Sequence, residues 1–340
     1  MYSAFSALGV TAPVLAAPMA GGPGRAALVI AAARAGGLGF VAGGYKTPDA
    51  LAAEIGEVRA AGVEFGVNLF APNPVPIDES DYRAYRKTIQ ADADGFGIDL
   101  SELPATQDDD LWREKLDLLL ADPVSVVSFT FGIPDATVVT ALRKVGTVVA
   151  QTVTSPDEAC LAAASGADVL VVQASAAGGH SGTFTPGRLP PQTPLPRLLA
   201  AVAAASGLPL IGAGGVGKRE DVTAALSAGA TAVAVGTALL LCPESGTSAP
   251  HRAALGDRRG TVVTRAFTGR PARGLRNRFT DRYSDIAPSG YPAVHHLTLP
   301  LRRAAAAAND PEALHLWAGT GYRHARPEPA AVILTALGGV

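Results

Sequence analysis

Short runs of consecutive apolar residues recur along the chain, each followed by a longer alanine-rich stretch with polar residues at helical spacing. The runs read as strands at Val14 to Ala17, Gly37 to Val41, Glu64 to Phe70, Val124 to Thr130, Val148 to Thr152, Val169 to Gln173, Leu208 to Gly212 and Ala232 to Val235. Most are continuous rather than alternating, so both faces of each strand must be covered, as in a parallel sheet wrapped by helices. Helices are expected between them, at Arg25 to Ala35, Pro48 to Ala60, Pro134 to Lys144, Pro156 to Ser165 and Arg219 to Ala228. Several open with Pro, or with Thr or Ser just before it, which suits a first helical turn. Gly36, Gly62, Gly166 and Gly229 stand where a helix must end and the chain reverse. An open doubly wound sheet would alternate in the same way, but eight repeats favour an α/β fold of the (β/α)8 TIM-barrel type.

Two stretches break the pattern. Asn73 to Asp110, rich in Pro, Asp and Tyr, reads as a partly helical excursion over the barrel mouth. Cys242 to Ala308 reads as a small, mostly helical cap, and within it Ala304 to Ala308 as a solvated helix. The expected division is a barrel of residues 1–241 and 309–340 with a cap subdomain at 242–308. A length of 340 residues accommodates one barrel with such an insertion.

Composition narrows the function. With 48% hydrophobic and 17% charged residues, the chain can bury a large core. Its net charge of −2, with both signs dispersed, gives no reason to expect nucleic acid or an anionic membrane as partner, and points to small molecules. Cys160 and Cys242 are the only cysteines and neither has a companion at metal-ligand spacing, so neither a disulfide framework nor a metal site is expected. Met1 to Val10 lacks a basic segment followed by an apolar one, and no run approaches the ~20 apolar residues of a membrane span, so the expected location is cytoplasmic.

Candidate chemistry gathers where the later strands end. After the seventh predicted strand comes Gly212-Ala213-Gly214-Gly215-Val216-Gly217, then a helix; after the eighth comes Gly236-Thr237. In a barrel these two turns commonly cradle a phosphate: glycines let backbone N–H groups approach its oxygens, and the following helix N-terminus adds partial positive charge. The same glycine spacing fits a dinucleotide fingerprint. That reading requires an acidic residue at the end of the next strand, where Gly236-Thr237 stands instead. Glycines that merely turn the chain tightly are the plainer alternative. After the sixth strand, Gln173 is followed by Ala174-Ser175-Ala176-Ala177-Gly178-Gly179-His180. This places an imidazole, free in its local backbone, and an amide on the catalytic face, where they can serve acid–base chemistry and a heterocyclic edge. A loop-stabilising hydrogen bond is the competing role for His180. His295-His296 falls in the cap, and His251, His315 and His324 have no constellation around them. No nucleophile elbow, HExxH or paired carboxylates suggest hydrolysis.

These residues, with several further pieces in order, resemble the class I nitronate monooxygenases, formerly 2-nitropropane dioxygenases, along nearly the whole chain. The pieces are Ala17-Pro18-Met19-Ala20-Gly21, Gly37-Leu38-Gly39-Phe40, Gly66-Val67-Asn68-Leu69-Phe70, Ser128-Phe129-Thr130-Phe131-Gly132, Ala177-Gly178-Gly179-His180, Gly214-Gly215, Val235-Gly236-Thr237-Ala238, Tyr291-Pro292 and Leu316-Trp317-Ala318-Gly319. The resemblance implies FMN contacts at Pro18, Met19, Asn68, Gln173, Gly178, Gly179, Gly214, Gly215, Gly236 and Thr237. It further implies a catalytic His180 and a substrate pocket walled by Ala20, Tyr45, Phe70, Phe131, Tyr291 and His295. The implied reaction oxidises an alkyl nitronate, such as propionate 3-nitronate, with dioxygen to a carbonyl compound and nitrite or nitrate, and a homodimer stays open as the assembly. The chain departs from the family pattern at Ala16, Ala174, Ala176 and Thr320, where Gln, Gly, Glu and Gln are usual. Flavin-dependent enoyl-acyl-carrier-protein reductases and quinone reductases of the same superfamily are the nearest alternatives. A barrel that binds flavin or phosphate without turnover is a third.

Overall fold

The strands foreseen from continuous apolar runs pair in parallel: β1 (Val14–Ala16), β2 (Phe40–Ala42), β3 (Gly66–Ala71), β4 (Val126–Phe131), β5 (Val148–Val153), β6 (Val169–Gln173), β8 (Leu210–Ala213) and β9 (Ala232–Val235). A computed structural model describes residues 10–257 and 259–339, so most of the N-terminal segment read above for a leader lies outside the described residues. Each barrel strand lies beside its predecessor, β9 pairs with β1, and an Ala16–Gly39 bridge joins β1 to β2, with Ala16 N donating to Leu38 O at 2.9 Å. The sheet thereby closes into a TIM barrel, and the hydrogen-bonding edges that an open sheet would expose are used up.

Helices α1 (Ala26–Arg34), α2 (Pro48–Ala60), α4 (Trp112–Ala121), α5 (Ala136–Lys144), α6 (Pro156–Ala164), α7 (Leu195–Ser206), α8 (Arg219–Ser227) and α12 (Ala330–Gly338) surround it. Their start signals work as read: Thr47 and Ser155 accept hydrogen bonds from Ala50 N and Glu158 N, with Pro48 and Pro156 in the first turn. Among the described residues, no helix is long and apolar enough to cross a membrane.

Alternation along the strands sorts the core. Val67, Leu69, Val127, Phe129, Leu170 and Val172 point outward and pack under the helices. The inward set starts large and apolar, with Leu15, Leu38, Phe40, Val126 and Ile211. Toward the C-terminal ends of the strands it turns small or polar, with Ala213, Ala234, Asn68, Ser128, Thr130 and Thr152. Phe40 occupies the space that a Gly66 side chain would need, since a Cβ there would meet its ring at 2.4 Å. The barrel is thus plugged at one end and roomy at the other.

Two excursions roof the roomy end. The first holds α3 (Glu79–Asp94). The second holds α9 (Ala249–Gly256), α10 (Arg278–Tyr283), α11 (Ala293–Ala307) and an antiparallel ribbon of β10 (Thr261–Thr264) and β11 (Ala272–Leu275) that the sequence reading did not foresee. Tyr82, Tyr85 and Ile89 of α3 share one apolar core with Phe267, Phe279, Leu297 and Leu301. Strand β11 also pairs with β7 (Gly179–His180), the short strand after β6, and so ties roof to barrel.

Phe129 is fully buried between β4 and the helical layer, so Phe129→Ala should lower stability by about 3–5 kcal/mol in denaturant unfolding. A loss below about 1 kcal/mol would contradict this account of the outer core.

Candidate active site

A cavity of about 810 Å³ opens at the C-terminal ends of the barrel strands, beneath the roof. All the residues singled out from the sequence border it: Pro18, Met19, Ala20, Tyr45, Asn68, Phe70, Phe131, Gln173, Gly178, Gly179, His180, Gly214, Gly215, Gly236, Thr237, Tyr291 and His295. They come from separate strands and from the roof, and closure of the barrel brings them to one place.

The glycine turns approach one another closely. Gly214 and Gly215 adopt φ of 109° and 79°, and a Cβ on Gly214 would lie 2.8 Å from Ala174 O. Gly178 packs against the segment after Trp317, where a Cβ would lie 2.5 Å from Gly319 N. Among the described residues, the N–H groups of Gly214, Gly215, Val216, Gly236 and Thr237 donate to no protein acceptor, whereas Gly217 and Lys218 both donate to Asp221 Oδ2 at 2.9 Å. The open donors therefore lie in the two turns themselves, and the N-terminus of α8 is largely answered by its own carboxylate. Ala176 and Thr320, two of the departures from the family pattern, flank Gly215: a Cβ there would lie 3.0 Å from Ala176 Cβ and 3.3 Å from Thr320 Oγ1.

The surroundings of His180 correct the picture of an imidazole on a free loop. Its backbone is β-paired with Ala272, and Ser181 N donates to Pro271 O at 2.8 Å. Gln173 braces the turn: its Nε2 donates to His180 O at 3.0 Å, and its Oε1 accepts from Gly182 N at 2.7 Å. Both ends of the amide that was read as facing a heterocycle are thus engaged within the protein. Asn68 donates to Ser128 and Thr130, and its Oδ1 has no protein donor among the described residues. The His180 ring meets Thr268 Oγ1 through Nε2 at 2.9 Å and stands among Phe131, Tyr291 and Trp317. Burial, with the Arg270 and Arg302 guanidiniums adding to it, pushes its pKa down to about 3. At neutral pH the imidazole is uncharged and a weak base. Glu158 fastens the segment beyond, accepting from Thr183 Oγ1 and Phe184 N at 2.7 Å each.

The aromatic wall is held under constraint. Tyr45 and Phe131 have φ of 66° and 86°, left-handed values that cost a bulky side chain about 1–3 kcal/mol each. Tyr45 N donates to Asp110 Oδ1 at 2.9 Å, and Asp110 pairs with the buried Lys115 at 2.7 Å. The Tyr45 ring stacks on His295 with centroids 4.4 Å apart, and Arg270 lies over Phe131 at 4.0 Å.

Several cavity residues escaped the sequence reading. His251 and His315, which have no constellation around them in the sequence, both border the cavity; burial pushes the His251 pKa down to about 4 and that of His315 well below the usual range. No spacing links them to His180, because the fold alone joins them. Arg302 also borders the cavity, and Arg270 lies just behind its wall; burial lowers both to about 10. A signal for Arg302 did exist: His295, Thr298 and Arg302 share a face of α11 at intervals of three and four residues. His324 lies on the exposed surface.

Comparison with known proteins adds an independent line. A family model described as "Nitronate monooxygenase" matches residues 3–338. A nitronate monooxygenase from Pseudomonas aeruginosa is 37% identical, over 97% of this chain and 96% of its own. A probable nitronate monooxygenase from Bacillus subtilis is 32% identical, over 92% and 91%. Among solved structures, the nitroalkane oxidase from Streptomyces ansochromogenes superposes with a TM-score of 0.92 at 42% identity, covering 99% of this chain and 97% of its own. FabK from Thermotoga maritima, at 24% identity and a TM-score of 0.75 over 98% and 93%, shares the fold.

The low pKa values of His180 and His251 carry a stability consequence. Between the ordinary histidine value of 6.5 and about 4, the unfolded chain binds protons that the folded one refuses, so stability should fall as pH drops through that window. Denaturant unfolding at pH 7 and pH 5 checks the slope, and equal stability at both would contradict a pair of neutral buried imidazoles.

Proposed function

The chain belongs to the nitronate monooxygenase family, and from that premise we propose that it is an FMN-dependent oxidoreductase converting an alkyl nitronate, such as propionate 3-nitronate, with dioxygen to a carbonyl compound and nitrite or nitrate. One observation carries this reading: backbone donors without acceptors in two adjacent barrel turns border the same cavity as a neutral imidazole.

The residues present fit FMN. The N–H groups of Gly214, Gly215, Val216, Gly236 and Thr237 would hold its phosphate, with Ala176 and Thr320 flanking Gly215 closely. Asn68 Oδ1 would accept from the ring, and Pro18, Met19, Gly178 and Gly179 would line its bed. When bound, FMN supplies the capacity to take electrons from the substrate and pass them to dioxygen. The protein's own part is to bind, orient and exclude water. With the Thr268 hydroxyl donating to Nε2, the neutral His180 would carry its one N–H on Nδ1 and offer that hydrogen bond to the oxygens of a bound anion, while Phe70, Phe131, Tyr45 and Tyr291 form the wall. An imidazole of such low basicity is poorly suited to taking a proton from a neutral nitroalkane, which favours a substrate already present as the nitronate. In this arrangement the barrel of residues 1–241 and 309–340 carries the cofactor, and residues 242–308 close over it. The free thiols of Cys160 and Cys242 suit a reducing compartment, which supports a cytoplasmic location.

Anaerobic addition of propionate 3-nitronate should bleach the flavin of the purified protein, whereas NADH should not. The opposite result would assign the chain to reductase chemistry. His180→Ala should retain the flavin and lose about 10²-fold or more in turnover, and unchanged turnover would remove His180 from the reaction. Gly215→Asp, which sets charge and bulk against the phosphate, should be purified with little flavin; normal flavin content on denaturation would argue against the cradle.

A further inference from the structure

Charged groups on the cavity wall are mostly answered by partners. Lys46 pairs with Glu54, Asp110 with Lys115, and Asp108 with His296, while Asp109 and Arg303 are exposed to solvent. Arg302 is different. It is 5% exposed, and among the described residues no carboxylate lies within ion-pair distance of it. Its side chain runs back along α11, so that Nε donates to Thr298 Oγ1 at 3.0 Å and Nη2 to His295 O at 2.8 Å, with His295 Nδ1 at 3.3 Å. Its Nη1 donates to no protein acceptor among the described residues. Every partner named is neutral, and the phenols of Tyr45 and Tyr291 that lie within reach of its charge are protonated at neutral pH.

A guanidinium withdrawn from water with only neutral company is costly unless an anion completes it. Arg270 does not share this character: it donates to the carbonyls of Asn73, Ser181 and Thr183, stacks on Phe131 and lies behind the cavity wall. We propose that Arg302 is the specificity-determining residue that receives the negative charge of the substrate, selecting planar two-oxygen anions, nitronate or carboxylate, over neutral molecules of the same shape. The assignment rests on the cavity being the substrate site, as proposed above. The guanidinium fork matches two oxygens on one atom, and its fixed charge leaves the neighbouring imidazoles free to stay neutral.

Butanoate carries the same planar pair of oxygens as a nitronate without being oxidised, and butanamide is nearly its shape without the charge. Calorimetric titration of the flavin-loaded enzyme should show butanoate binding about 10-fold or more tightly than butanamide. Arg302→Met should abolish that preference and leave butanamide within about two-fold of wild type. Arg302→Lys, which keeps the charge and loses the fork, should weaken butanoate alone by about three- to ten-fold. A residue that only staples α11 would weaken both probes together and lower Tm. That pattern, or equal affinities in the wild type, would overturn the proposal. If Arg302→Met does not fold, the wild type and Arg302→Lys still decide. Because the titration needs no turnover, a protein that prefers butanoate but does not oxidise nitronates would remove the proposed reaction and retain Arg302, and the reverse would remove Arg302 alone.

Discussion

The candidate site hangs on a ladder only two residues long. Gly179 and His180 pair with Arg273 and Ala272, and through that contact the turn after the sixth barrel strand is fixed to the ribbon of the roof. Without it the imidazole would sit on a glycine-rich turn with several backbone choices. With it, Gln173, Thr268 and the aromatic rings find the histidine in a single position. Short ladders are weak alone, and this one is sustained by the apolar core that α3 and the second excursion share.

A second constraint is electrostatic. The cavity collects His180, His251, His295 and His315, all driven toward the neutral form by burial, around the buried guanidinium of Arg302. A low-polarity enclosure makes each additional positive charge expensive, so the guanidinium and the imidazoles cannot all be charged together. The arrangement suits ligands that bring negative charge with them. Backbone N–H groups in the glycine turns, which border the same cavity, extend this preference without adding any formal charge.

Much of the barrel was legible in the chain because its strands are covered on both faces and so read as unbroken apolar runs; all eight fall within three residues of their expected ends. The glycine turns and His180 were legible because a barrel's chemistry gathers at strand ends. The ribbon was not. Ala272-Arg273-Gly274-Leu275 has neither the alternation nor the β-branched side chains of a strand, and its pairing with β7 joins residues about 90 positions apart. His251, His315 and Arg270 were hidden for the same reason, since nothing local distinguishes a residue that only the folded chain brings to the cavity. Arg302 precedes an alanine run that reads as a solvated helix, whereas its own face of α11 packs inward.

The shared core of the roof has a consequence for how the protein comes into being. One half, around Tyr82 to Leu100, leaves the ribosome before five of the barrel strands exist; the other, from Ala266 to Leu301, emerges only after the last of them. Contacts of such long sequence separation form late, after nearer ones have reduced the loop to be closed. The enclosure around His180 therefore cannot close until both halves are available, and among the described residues α12, which packs back on β1 and α1, is the only helix of the barrel layer still to follow them.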